Sequence, residues 1–120
     1  MWRLVLVVAC LVVLRPATAN SAGQPLTPDQ LKCDAGPITK MYGGNAWLVY
    51  GCNDGRSINL VSAPGSEASP FVFIFHWENG EYRLAGAGTG SKVATDAALN
   101  DLAKLSQSDV ESLLAETARH

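Results

Sequence analysis

Between residues 71 and 86 apolar side chains recur at every second position: Phe71, Phe73, Phe75 and Trp77, then, past Asn79-Gly80, Tyr82 and Leu84. That spacing is the period of a β-strand, and Asn-Gly is a preferred pair for a tight hairpin turn, so residues 71–77 and 81–86 predict two antiparallel strands sharing one core face. The alternate positions, Val72, Ile74 and His76, make a second face that is only half apolar, and the turn sets His76 across from Arg83. A hairpin is also predicted upstream, joining residues 46–52 to 57–62 through Asn53-Asp54-Gly55-Arg56, with Asp54-Gly55 supplying the positive backbone angles of the turn. Residues 38–42, ahead of Gly43-Gly44, are a candidate edge strand, and residues 63–70 read as a loop that changes direction.

Past residue 92 the composition turns to Ala, Leu and alternating charge, which is helical. Leu99, Leu102 and Leu105 follow a three-to-four spacing with Thr95 or Asp96 as the start, and Ser108 with Glu111 predicts a capping box ahead of the stripe Val110, Leu113 and Leu114. Both helices are apolar on one side and need a sheet face to cover. A further short helix is predicted from Thr27-Pro28-Asp29-Gln30, ended by Gly36-Pro37 and presenting Cys33. The expected architecture is therefore a single α+β domain over residues 26–120, an antiparallel sheet of two hairpins plus the candidate edge strand, covered on one face by two C-terminal helices.

The N-terminus changes the setting rather than the fold. Arg3 followed by the apolar run 4–14, then Arg15-Pro16 and Ala17-Thr18-Ala19, has the form of a signal peptide over residues 1–19, too short to span a bilayer and cleaved before Asn20. Residues 20–25 then form a flexible leader. Val7-Val8-Ala9-Cys10 fits a lipid-attachment box loosely, with an unusually short segment before Cys10, so removal of the cysteine with the signal is the simpler reading. The expected location is exported, periplasmic or secreted, and no membrane span is expected after signal removal.

Losing Arg3 and Arg15 takes nine basic against eleven acidic residues to seven against eleven, a net charge of about −4. With no basic cluster left, a nucleic-acid partner is not expected. The same loss leaves Cys33 and Cys52, which an oxidising compartment joins as a disulfide.

Few residues offer chemistry. "GAGTGSK", Gly86 to Lys92, suggests a phosphate loop, but aligning Lys92 to the P-loop lysine puts Ser91 in place of the second glycine and Val93 in place of the magnesium-binding hydroxyl. A strand-to-helix link with glycines for close packing is the plainer reading, leaving Gly88, Gly90, Ser91 and Lys92 as a candidate anion loop. His76 with Arg83, and Trp47 with Tyr42 and Tyr50 around Gly43-Gly44, are candidate surface-site residues, although a strand histidine and paired aromatics more often serve structure. Glu78 and Glu81 flank a turn and are expected to be solvated, His120 lies at the terminal position, no metal set or cofactor is implied, and no catalytic residue is assigned.

"YGCNDGRSINLV", Tyr50 to Val61, resembles the Tyr-x-Cys, Asp-Gly, hydrophobic-strand cadence of small periplasmic inhibitors of c-type lysozyme. The chain lacks that family's serine-glycine-aromatic inhibitory motif, and helices stand where its later strands would be. The arrangement of "YGGNAWLVYGC", "PFVFIF" and a Gly-rich link to paired helices is similar to small exported bacterial proteins of unassigned activity. The expected function is a non-catalytic exported binding module for an unknown protein or small ligand. Inhibition of a cell-wall hydrolase, with acidic charge steering toward a basic lysozyme, is the alternative. An enzyme built around His76 is the third.

Overall fold

The computed structural model describes residues 30–120; the expected signal peptide, the leader and Thr27-Pro28 lie outside the described residues. Five strands, β1 (Cys33–Tyr42), β2 (Asn45–Cys52), β3 (Ile58–Ser62), β4 (Phe71–Glu78) and β5 (Glu81–Gly88), precede two helices, α1 (Lys92–Leu102) and α2 (Gln107–Ala118). The sheet runs in sequence order, each strand antiparallel to the one before it. This is the expected α+β architecture.

Turn chemistry sets the register. Asn79 (φ 53°) and Gly80 (φ 83°) both take the left-handed region that a two-residue hairpin turn demands, and the pairing that follows brings His76 opposite Arg83. In the first predicted hairpin only Gly55 (φ 71°) is left-handed. Asp54 contributes its carboxylate instead, accepting from the backbone N–H of Arg56 (2.9 Å) and Ser57 (2.7 Å) and from the Ser57 hydroxyl (2.6 Å).

The short helix expected to end at Gly36-Pro37 is not formed within the described residues. Cys33, Ala35 and residues 38–42 pair with β2, so the candidate edge strand begins earlier than its apolar pattern suggests. Cys33 sits directly across from Cys52, and their disulfide fastens the start of β1 to the end of β2. Gly36 (φ 99°) and the cis Gly36-Pro37 bond lie at a register shift inside this strand, where the irregular backbone needs glycine.

Trp47, Val49, Ile58 and Leu60 are wholly buried, joined by Phe73 and Phe75 on the same sheet face. Ala94, Ala98 and Leu102 of α1 and Val110 and Leu113 of α2 close this core. Helix starts fall earlier than expected. Ser91, not Thr95 or Asp96, caps α1, and Thr95 is buried in the first turn with its hydroxyl on the Lys92 carbonyl. Ser106 and Asp109, not Ser108 and Glu111, form the capping box of α2. Leu99, expected in the apolar stripe, is 41% exposed, and Ala94, Ala98 and Leu102 supply the buried face of α1 instead.

The helical layer is off-centre. Helix α1 packs chiefly on β1, and α2 lies across β1, β2 and β3. Small residues permit this approach: a methyl added at Gly51 would run into the Thr117 hydroxyl, and one at Gly43 into the α1 backbone at Ala98. The Gly43 N–H also donates to the Asp101 carboxylate at 2.6 Å. The β4–β5 end is left with thinner cover.

Candidate functional site

The glycine-rich run joins β5 to α1. Gly86 is overlaid by the Phe73 and Phe71 rings, where an added methyl would lie 2.7–2.8 Å from ring carbons, and Gly88 and Gly90 press against Pro70 and Ala68. The N–H groups of Thr89 and Gly90 both donate to the Pro70 carbonyl (3.0 and 3.1 Å), and that of Ser91 donates to Glu67 (2.9 Å). The Ser91 hydroxyl caps α1, and Lys92 pairs with Asp96 at 3.1 Å. The amides of Thr89, Gly90 and Ser91 are therefore spent on the loop that precedes β4, so the run works as a latch between that loop and α1.

His76 and Arg83 meet on the sheet face away from the helices. Glu78 joins them, with Arg83 Nε at 2.8 Å and His76 Nδ1 at 3.3 Å, and Glu81 adds a longer contact to Arg83 at 3.6 Å. These groups are between a third and two-thirds exposed, so water screens the cluster. Asp54 and Ser57 lie in the neighbouring turn, but the Ser57 hydroxyl is wholly buried and donates to Asp54 rather than to a histidine. Burial opposes ionisation of Asp54, yet the hydrogen bonds from Ser57 and Arg56, with the His76 charge, hold its carboxyl below the usual range. Among the described residues no three His, Cys, Asp or Glu side chains converge as a metal set.

Trp47 and Tyr42 do not join His76 and Arg83, because alternation places them on the helix-covered face. Trp47 is a core residue whose indole N–H donates to the Tyr42 carbonyl at 3.2 Å. The Tyr42 phenol is pushed up by burial first, then by the charges of Glu116, Asp109 and Asp101.

Two other surfaces emerge. One is a cleft of about 390 Å³ between the β4–β5 hairpin and the α1–α2 turn, with Phe75, Tyr82 and Leu84 on one wall and Leu102, Leu105 and Val110 on the other. Ser106 and Gln107 form its polar lip. Tyr82 is held there by its hydroxyl, which donates to the Arg56 carbonyl at 2.7 Å, and by its ring against Trp77 at 4.9 Å, over which the Arg56 guanidinium stacks at 4.5 Å. Burial, then the Glu111 charge, raises the Tyr82 phenol.

The second surface is the open sheet face itself. Register aligns Thr39, Leu48, Val61, Val72 and Ala87 in one row across all five strands, and Tyr50, Asn59, Ile74 and Ala85 in the next. Val72 is 38% exposed and Met41, on the same face, 63%.

No protein-family model, curated protein or solved structure matches the chain. Among the described residues no helix is long and apolar enough to cross a membrane. The cleft escaped the sequence reading because its walls come from four elements. The alternation of Phe75, Tyr82 and Leu84 supplied one wall, but the offset of the helices that opens it is a tertiary outcome.

Proposed function

We propose that the chain is a small non-catalytic exported binding module that takes a protein partner on the open face of its sheet. The observation that carries this reading is the row Leu48–Val61–Val72, aliphatic on three successive strands and lying on the face opposite the helical layer. A sheet normally leaves such a face polar when it meets only water, and a contiguous apolar surface is what protein interfaces use. The disulfide is compatible with the oxidising compartment that export implies.

A photo-crosslinking residue placed at Val72 tests the reading, with one at Leu99 on the helical side as the control. Expected is a discrete adduct from the exported fraction of the source cell at Val72 alone, abolished by the second-site change Val61→Lys. Equal labelling from both positions, or no change with Val61→Lys, overturns it. Should the adduct contain a cell-wall hydrolase, the function narrows to inhibition, and a lysozyme turbidity assay with excess protein then measures it.

A further inference from the structure

We propose that the free edge of β5, together with the cleft beside it, is a second binding site, and that it takes an extended peptide as a sixth strand. The two edges of the sheet differ. Strand β1 carries Pro37, register shifts on both sides of Ala35 and the disulfide, features that blunt an edge against pairing. Strand β5 has none of them. It pairs with β4 without a break from Glu81 to Gly88, contains no proline, and has β4 as its one partner among the described residues. From Glu81 to Ala87, short of Gly88 with its φ of 149°, its outer backbone N–H and C=O groups form a row that an extended main chain matches. Residues 85–88, Ala-Gly-Ala-Gly, are all exposed and offer nothing larger than a methyl to keep another backbone away.

Specificity comes from alternation. On the helix-covered face Tyr82 and Leu84 of β5 are walls of the cleft, so the inward side chains of an added strand would lie beside them and cover its apolar lining. On the open face Glu81 and Arg83 stand at the alternate positions, 65% and 58% exposed. The fitting peptide therefore has apolar residues at every second position, with an acid across from Arg83 and a base across from Glu81.

A second copy of the chain fits less well. In a two-fold antiparallel pairing, the register that sets Glu81 against Arg83 of the other copy overlaps only residues 80–84. The register that uses the strand from residue 80 to 88 sets Arg83 against Ala85 and Glu81 against Ala87. The intermediate one opposes Arg83 to itself. Length and charge match cannot be satisfied together, and the assignment goes to a separate peptide.

The test uses the full chain and a synthetic peptide, Thr-Val-Thr-Val-Glu-Val-Lys, which meets the pattern when antiparallel to residues 87–81. Its counterpart with Glu and Lys exchanged is the control. Expected are saturable amide shifts and slowed amide exchange confined to β5 and the cleft, with the exchanged peptide about two- to fivefold weaker. Arg83→Glu should bring the two affinities together or reverse their order. Equal binding of both peptides to the unaltered chain, shifts centred on Leu48, Val61 and Val72, or no binding overturns the assignment. So does sedimentation showing a dimer that the peptide dissociates, since the edge would then belong to a second copy. None of these outcomes depends on the crosslinking at Val72, so the two sites fail independently.

Discussion

Replacing Ser57 by Ala removes one oxygen and should cost far more than a surface serine would. The Ser57 hydroxyl is wholly buried, donates to the Asp54 carboxylate at 2.6 Å and accepts from the backbone N–H of Trp77 at 2.9 Å, so it ties the β2–β3 turn to β4. A hydrogen bond to a charged group contributes about 1.5–3 kcal/mol, and a half-buried N–H left without a partner costs about 1–3 kcal/mol. Some relaxation is expected, giving a net loss of about 2–4 kcal/mol, a large share of the roughly 5–15 kcal/mol available to a domain of this size. Urea unfolding followed by tryptophan fluorescence measures it. The loss should also depend on pH. Because the folded-state pKa of Asp54 is lowered, its stabilisation is present above the unfolded value near 3.8 and is lost as pH falls through the folded value. The penalty of Ser57→Ala should therefore be largest at neutral pH and shrink as pH falls through the folded-state value of Asp54. A penalty below about 0.5 kcal/mol at neutral pH, the range of an unremarkable surface change, refutes the bracket.

Reduction of Cys33–Cys52, which closes a separation of 19 residues, should lower stability by roughly 3 kcal/mol; superposable urea curves with and without reductant would show that the link contributes nothing. Gly51→Ala drives a methyl into Thr117 and to 3.2 Å from Leu114, and should cost about 1–3 kcal/mol through overpacking. Gly55→Ala meets nothing within 4 Å and carries only the backbone cost of φ 71°, about 1 kcal/mol, so calorimetry that ranks the two in the opposite order refutes the packing argument. Tyr42 and Tyr82 both have raised pKa values, so their stabilisation is complete below the unfolded value near 10 and falls as pH climbs above it. Thermal melts in that range should therefore shift downward by less in Tyr42→Phe than in the unaltered chain.

Local chemistry made most of the sheet legible. Asn79-Gly80 and the alternation around it give both the second hairpin and the facing of His76 and Arg83, because a two-residue turn leaves no freedom in register. The Cys33–Cys52 pairing is legible when residues 1–19 are read as a signal peptide, because two cysteines then remain. What failed is what depends on distant partners. Thr27-Pro28-Asp29-Gln30 carries a strong helix signal, yet Cys33 and Ala35 are claimed by β2, a preference that sequence windows do not contain. The caps moved to Ser91 and Ser106 because Ser, Thr and Asp have similar capping propensity and more than one of them lies near each helix start, so packing of Leu102 and Val110 chooses among them. Of the candidate site residues, Trp47 and Tyr42 separate from His76 and Arg83 only once the register across the five strands is known. The cleft needed the position of the helices.

The union of α2 with the first two strands has a consequence for how the molecule comes into being. Thr117 sits on Gly51 and Glu116 holds Lys40 at 3.1 Å, so α2 is the lid over strands laid down 66 and 76 positions earlier in the chain. A growing polypeptide that has produced only the sheet would hold a half-built interior open to solvent until Val110 and Leu113 arrive. The interior over β1 and β2 is thus closed by contacts of high sequence separation, which form slowly because the chain between them must be ordered before they reward it.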